Sequence, residues 1–135
     1  MADLLMLDTD TASYLIRGNS PVLDSFIRAQ DIWQVCISAV TRAELRFGAA
    51  RKSANKKLTA DVDYFLNMMQ TMPWNDRAAD AYGEVRNALE KAGTPIGAFD
   101  TLIASPAKSL DATLVTNNTK HFKFVKGLKL ANWAG

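Results

Sequence analysis

Three acidic residues, Asp8, Glu44 and Asp100, are the side chains of this sequence best suited to chemistry. They lie far apart in the chain, so they can act together only if the fold gathers them. Gathered carboxylates repel one another, and a divalent cation is the usual partner that relieves this repulsion. The three residues therefore indicate a metal site, provided that the elements carrying them meet.

Each acid also has a simpler structural explanation. Asp8 or Asp10 could cap the first helix, where aspartate is common, and Asp100 could be favoured in a first helical turn by the helix dipole. Glu44 is harder to explain in this way, because its spacing places it on the apolar face of a helix. An unpaired carboxylate there is costly, so its structural alternative is an ion pair with a nearby base.

The elements that must position these residues alternate along the chain. Short apolar runs predict strands at residues 4–8, 33–37, 71–74, 113–116 and 128–130. Helical spacing, caps and breaks predict helices at residues 11–17, 21–29, 39–51, 56–69, 76–92 and 99–110. Pro106 should kink or shorten the last of these helices. Strands separated by helices predict an α/β fold, with a mostly parallel sheet of four or five strands covered on both faces.

Ligands of such folds gather beyond the carboxyl ends of the strands. Asp8 ends the first predicted strand, and the Asn117–Asn118 turn follows another. Ser38 can cap the helix that leaves a third strand, and Glu44 lies one to two turns into that helix. We therefore expect the acids to converge at one edge of the sheet.

The helix at 39–51 carries apolar residues at three-to-four spacing, which predict its buried face. These residues are Val40, Ala43, Phe47 and Ala50. Glu44 lies four residues after Val40 and three before Phe47, so we expect its side chain to point along that face.

The composition is that of a folded protein. The chain has 135 residues, 48% of them apolar, which predicts one domain over residues 1–135 and excludes a disordered protein. No apolar stretch approaches the ~18 residues needed to cross a bilayer, and we expect no signal peptide. Cys36 is the sole cysteine, which excludes an internal disulfide, and its apolar neighbours predict a buried core residue. A cytoplasmic protein that does not contact membranes fits these features.

Basic residues form two groups, although the net charge is only +2. The groups are Arg42, Arg46, Arg51, Lys52, Lys56 and Lys57, and then Lys120, Lys123, Lys126 and Lys129. Charge runs are usually solvated faces. The alternative is a set of phosphate contacts at the rim of an acidic site.

Four segments of the chain carry a family resemblance. They are residues 6–10 (MLDTD), 37–48 (ISAVTRAELRFG), 95–104 (PIGAFDTLIA) and 114–122 (LVTNNTKHF). In order, spacing and total length, they resemble the motifs of PIN-domain nucleases over nearly the whole chain. The most similar group is the VapC-type toxins of bacterial type II toxin–antitoxin systems.

This resemblance implies a three-layer α/β/α domain that cleaves RNA with Mg²⁺ or Mn²⁺. Asp8 and Asp100 would be the principal metal ligands, and Glu44 would complete the acidic cluster. Thr116 and Asn118 would line the site and hold a carboxylate or a metal-bound water. A metal-activated water would attack the phosphorus in line, and the resemblance implies products with a 5′-phosphate and a 3′-hydroxyl.

The residues that would contact the substrate match the family pattern less completely. His121 stands where many members have an acid before the aromatic residue, and its role could be a phosphate contact, a metal ligand or packing. This replacement leaves the presence of a second metal open. Arg46 and Lys120 are candidate phosphate contacts. The runs at 95–100 and 116–119 resemble enteric-type toxins, which implies structured RNA as the substrate and, as a hypothesis, the anticodon loop of initiator tRNA.

The resemblance also implies partners. These are a VapB-type antitoxin whose tail lies in an apolar groove, a second copy in a homodimer, and operator DNA bound only through the antitoxin. The candidate groove residues, for which core packing is the alternative, are Leu15, Ile16, Leu23, Phe26, Phe47 and Phe65.

Two other functions compete with this interpretation. A haloacid dehalogenase-like phosphatase also pairs two aspartates two residues apart after a strand, as Asp8 and Asp10 are. A catalytically impaired PIN binding module would keep the fold without a working site, and the replacement at His121 leaves room for it.

Overall fold

A five-stranded sheet forms the centre of the molecule in the computed structural model, which describes residues 3–134. The strands are β1 (Leu5–Leu7), β2 (Val35–Ser38), β3 (Gln70–Met72), β4 (Thr113–Val115) and β5 (Lys129–Ala131). Their order across the sheet is β3-β2-β1-β4-β5, and every neighbouring pair is parallel. The predicted α/β class with a parallel sheet of four or five strands is therefore confirmed.

Helices follow most of the strands. They are α1 (Thr9–Arg17), α2 (Pro21–Arg28), α3 (Ala39–Arg51), α4 (Lys56–Met68), α5 (Asp76–Lys91), α6 (Ala98–Ser109) and α7 (Thr119–Phe122). None of the helices within residues 3–134 combines the length and the apolar character needed to span a bilayer.

Successive strand residues point to opposite faces of the sheet and so divide the core into two halves. Met6, Cys36 and Leu114 face the side covered by α5, α6 and α7. Leu7 and Val115 face the opposite side, where α1, α3 and α4 pack. The three-layer arrangement thus follows from short strands that are apolar on both faces. Cys36 is fully buried, as predicted, and burial raises the pKa of its thiol to about 12.

The second strand begins later than its apolar run predicts. Trp33 was expected in a buried strand. The residue is instead 79% exposed and belongs to a single 3₁₀ turn, Ile32–Gln34. Asp31 begins this turn by accepting a hydrogen bond from the Trp33 backbone N–H at 3.1 Å. The local cap therefore takes precedence over the strand preference of the aromatic residue.

The predicted buried face of α3 is wrong. The buried residues of this helix are Thr41, Leu45 and Ala49, whereas Phe47 is 58% exposed and stacks beneath the guanidinium of Arg51. The buried face of α3 begins with a polar residue, Thr41, so the spacing of apolar residues alone predicted the wrong side of the helix. Glu44 consequently lies on an exposed part of the helix and not on its buried stripe.

Pro106 lies inside α6, which runs only three residues beyond it. Proline has no backbone N–H, so the carbonyl of Leu102, one turn earlier, loses its helical partner. The indole N–H of Trp74 donates to that carbonyl at 3.0 Å. The proline is thus accommodated by a tertiary hydrogen bond.

Candidate active site at the carboxyl ends of the strands

Asp8 follows the central strand β1 and caps α1. Its Oδ1 accepts a hydrogen bond from the Thr11 backbone N–H at 2.9 Å, and its Oδ2 accepts from the Thr116 hydroxyl at 2.6 Å. The residue is 7% exposed. The carboxylate is therefore held in one orientation, while each oxygen keeps lone pairs for further contacts.

Thr116 follows β4, the neighbour of β1 in the sheet, and is fully buried. Its hydroxyl donates to Asp8 and accepts from the Asn118 backbone N–H at 2.9 Å. The direction of the hydroxyl is therefore fixed, and Thr116 orients the Asp8 carboxylate. Asn118 itself is exposed and lies at the N-terminus of α7, so it belongs to the same edge of the sheet.

The start of α3 brings Glu44 to this edge. Ser38, the last residue of β2, caps the helix by accepting from the Thr41 N–H at 3.2 Å. The hydroxyls of Thr41 and Thr9 lie 3.1 Å apart and join the first turns of α3 and α1. Glu44, one turn further along, reaches the same pocket as Asp8 from the solvent side.

Asp100 lies in the first turn of α6 and comes from the opposite layer of the molecule. Its Oδ2 is 2.8 Å from Nε2 of His121, which is carried by α7. The same Nε2 lies 2.7 Å from the carbonyl oxygen of Ile96. Both side chains are partly exposed, so the pair forms one wall of an open site.

These carboxylates surround one pocket of about 230 Å³. Its lining residues are Asp8, Thr9, Asp10, Glu44, Phe99, Asp100, Ile103 and Phe122. The fold thus gathers carboxylates that are separated by up to 92 positions, from Asp8 to Asp100, at the carboxyl ends of adjacent parallel strands.

The electrostatics of Asp100 reflect this gathering. Burial raises the pKa of the Asp100 carboxyl above its ordinary value, and the negative charges of Asp8 and Asp10 raise it further. His121 acts in the opposite direction, through its charge and its hydrogen bond. The acids therefore interact across the pocket, and a bound cation would relieve their repulsion.

The donor set fits a hard divalent cation. Within residues 3–134, no group of three or more Asp, Glu, His or Cys side chains is arranged so that it could hold a metal ion. Mg²⁺ does not need such a group, because it usually keeps several waters and binds one or two carboxylates directly. An open pocket lined by four carboxylates offers that kind of coordination.

The two predicted phosphate contacts occupy different places. Lys120 is exposed on α7, where it precedes His121 in the chain. Arg46 lies on the outer side of α3 and forms an ion pair with Asp63 of α4, with both side chains about half exposed. Neither Lys120 nor Arg46 lines the acidic pocket, and only Lys120 shares a helix with another candidate residue of this edge, His121.

A second groove, of about 400 Å³, opens from the acidic pocket between α1, α3 and α4. Thr9, Asp10 and Glu44 line both. Of the six groove residues predicted from the sequence, only Ile16 lines this groove; Leu23 and Phe65 are core residues and cannot contact a partner. The groove has an apolar floor and a basic rim, and Arg17, Arg51 and Lys52 are among its lining residues.

Asp10 was not predicted as a residue of the nuclease site; it was considered only as a cap and as the second aspartate of the haloacid dehalogenase-like alternative. Asp10 is exposed in the first turn of α1, where it lines both cavities. Its position two residues after Asp8, past the cap, was the available signal. Phe99 and Phe122 form apolar walls of the pocket, and their places beside Asp100 and His121 in the chain indicated proximity.

Comparisons with known proteins agree with this architecture. The PIN domain family model matches residues 5–127. The tRNA(fMet)-specific endonuclease VapC of Salmonella typhimurium is 33% identical over 131 residues, covering 95% of this chain and 96% of the relative. Ribonuclease VapC2 of Rickettsia felis is 34% identical over 134 residues, covering 96% of this chain and 98% of the relative.

The solved structures give the same result. The crystal structure of DNA-bound VapBC from Salmonella typhimurium superposes with a TM-score of 0.90 at 30% identity, covering 98% of this chain and 99% of that chain. The chain therefore belongs to the PIN-domain family and, within it, to the VapC ribonucleases. Ribonucleases of this family generally depend on a divalent metal. The haloacid dehalogenase-like alternative is wrong, because the family model and the fold are those of a PIN domain.

Proposed function

We propose that this protein is a metal-dependent endoribonuclease that serves as the toxin of a toxin–antitoxin pair and acts through the acidic pocket. The observation that carries the proposal is the meeting of four carboxylates, Asp8, Asp10, Glu44 and Asp100, around one solvent-open cavity. Such a density of negative charge would repel an RNA phosphate unless a cation lay between them. The pocket therefore suits phosphodiester chemistry only with a bound metal.

Asp8 and Asp100 would hold Mg²⁺ or Mn²⁺, with Glu44 acting directly or through water. When bound, the ion supplies a nucleophile at neutral pH and stabilises charge on the phosphoryl oxygens. The protein contributes orientation, because Thr116 and the α1 cap fix the Asp8 carboxylate before substrate arrives. Asn118 lies at the same edge and would position a water or the scissile phosphate.

The substrate would be a structured RNA, with the initiator tRNA anticodon loop as the specific candidate. One relative is named a tRNA(fMet)-specific endonuclease, and it aligns over nearly all of this chain. Lys120 and His121, which are neighbours on α7, would contact the phosphate backbone. Arg46 would have to exchange Asp63 for RNA, which costs little because an exposed ion pair contributes only about 0–1 kcal/mol.

A cognate VapB-type antitoxin would occupy the groove between α1, α3 and α4 and end at the acidic pocket. The shared residues Thr9, Asp10 and Glu44 make the groove continuous with the site, so a bound tail would block substrate. Operator DNA would be contacted through the antitoxin, as the DNA-bound VapBC neighbour suggests. We also propose a homodimer built from single-domain subunits (residues 1–135) that works in the cytoplasm, where tRNA is found.

The test is cleavage of total tRNA by antitoxin-free protein, with the cut ends mapped. We expect cuts with Mg²⁺, none in EDTA, and recovery with Mn²⁺. Glu44→Gln should abolish cleavage, while the matched control Glu84→Gln, on the exposed side of α5, should cut normally. Activity that persists in chelator would contradict the metal proposal, and cuts confined to mRNA would contradict the tRNA assignment. A wild-type protein that cuts no RNA would favour the impaired binding module.

A further inference from the structure

The imidazole of His121 contacts two oxygen atoms through one nitrogen. Its Nε2 lies 2.7 Å from the Ile96 carbonyl oxygen and 2.8 Å from Oδ2 of Asp100. A carbonyl oxygen can only accept a hydrogen bond, so Nε2 must carry a hydrogen. The carboxylate of Asp100 then shares the same N–H, and Nε2 has no lone pair with which to bind a metal.

The surroundings hold the ring in this position. The Ile96 carbonyl belongs to a buried residue that is followed by Gly97, whose own carbonyl accepts from the Thr101 hydroxyl at 2.7 Å. The buried ring of Phe122 meets the imidazole edge to face, with 5.7 Å between their centres. Neither the acceptor nor the ring can move far without disturbing the core.

We infer that His121 is a positioning residue: a fixed Nε2–H donor, anchored by the Ile96 carbonyl, that holds the Asp100 carboxylate in place for the cation. The inference rests on the proposed function, because it assigns His121 a role toward the metal that Asp100 would bind. It removes two alternatives for His121 in this arrangement, a ligand acting through Nε2 and a residue that serves packing alone.

The choice of histidine at this position follows from the two acceptors. An ionised acid at residue 121 could donate to neither the Ile96 carbonyl nor the Asp100 carboxylate, and its charge would repel Asp100. Histidine can donate at Nε2 whether it is neutral or charged. Hydrogen bonds from outside the coordination shell fix the direction of ligating groups, and removing one typically lowers metal affinity by about 10–100-fold.

The first experiment compares Mn²⁺ binding by calorimetry in the wild type, His121→Gln and His121→Leu. Glutamine places an N–H donor near the position of Nε2, whereas leucine fills space without donating. We expect His121→Gln to bind close to the wild-type level and His121→Leu to lose roughly tenfold or more in affinity. Equal affinities of the wild type and the leucine variant would overturn the inference alone. A wild type that binds no Mn²⁺ would overturn both the inference and the metal proposal.

The second experiment needs no metal and therefore separates the two proposals. His121 is the sole histidine of the chain, so ¹⁵N-labelled histidine gives one imidazole spectrum in protein purified without a histidine tag. We expect Nε2 to carry a hydrogen and to lose it slowly to solvent. A neutral ring with its hydrogen on Nδ1 and a bare Nε2 would overturn the inference, whatever the RNA cleavage results are.

Discussion

Replacing Asp8 tests its structural role separately from its proposed metal-binding role, because its two carboxylate oxygens accept hydrogen bonds from known partners, Thr11 and Thr116. Asparagine keeps an oxygen that can accept from the Thr11 N–H, so Asp8→Asn should preserve the α1 cap. Alanine removes both acceptors. Losing the cap costs about 1 kcal/mol, and leaving the buried Thr116 hydroxyl without its acceptor adds about 1–3 kcal/mol.

Both substitutions also remove the repulsion between Asp8 and Asp100, and they do so equally. Both variants also leave the Thr116 hydroxyl without its acceptor, because the second terminal atom of asparagine is an amide nitrogen that can only donate. The stability difference between Asp8→Ala and Asp8→Asn therefore isolates the α1 cap and should be about 1 kcal/mol. Urea unfolding in EDTA measures this difference without a contribution from bound metal. Both variants should lose Mg²⁺-dependent RNA cleavage down to the level of chelated wild-type protein.

Ser20→Ala is the matched control. Ser20 caps α2 through the Leu23 N–H at 3.3 Å and lies outside both cavities. It should lose about 1 kcal/mol, as other cap deletions do, yet cleave RNA at the wild-type rate. Normal cleavage by Asp8→Asn would refute the metal assignment, and equal stability of the two Asp8 variants would refute the assignment of Asp8 as the cap of α1.

Three further predictions address Asp100, the groove between α1, α3 and α4, and Lys120. Because its pKa is raised, the Asp100 carboxyl destabilises the native state as pH rises above the ordinary aspartate range. Asp100→Asn should therefore raise Tm at pH 7 in EDTA, by a margin that disappears in acid; an unchanged or lower Tm would contradict this. Gly48 and Gly83 both lie inside helices with open space around them, so leucine at either should not destabilise the fold. Only Gly48→Leu fills the groove and should weaken antitoxin binding in calorimetry, and equal binding by both variants would contradict the groove assignment. Lys120→Ala should reduce the salt dependence of RNA binding by about one counterion, with Lys91→Ala, on an exposed site at the end of α5, as the control that should not.

The sequence allowed the fold to be predicted because its strands are short, apolar on both faces and separated by helices. The end of β1 could be predicted for the same reason, since Asp8 directly follows a short apolar run. The buried face of α3 could not be predicted from the sequence. Thr41 is fully buried and its hydroxyl contacts that of Thr9 in another helix, and no spacing rule applied to α3 alone could indicate that partner.

The parts of the site that residue types and spacing alone did not indicate depend on contacts between distant segments. The Thr116 hydroxyl reaches Asp8 across 108 positions, and only the family resemblance indicated its place. The role of His121 depends on Ile96 and Asp100 lying on either side of one nitrogen. The order of residues could show that an acid was replaced there, but it could not show what the replacement holds.

The last strand has a consequence for how the protein is made. The Thr116 backbone N–H donates to the Ala131 carbonyl of β5 at 3.0 Å, so the residue that orients Asp8 is itself fixed by a late segment. A growing polypeptide lacks a finished pocket until β5 has emerged from the ribosome. A chain still on the ribosome would therefore lack the oriented carboxylate that the proposed chemistry needs, and RNA cleavage would begin only after β5 has been made.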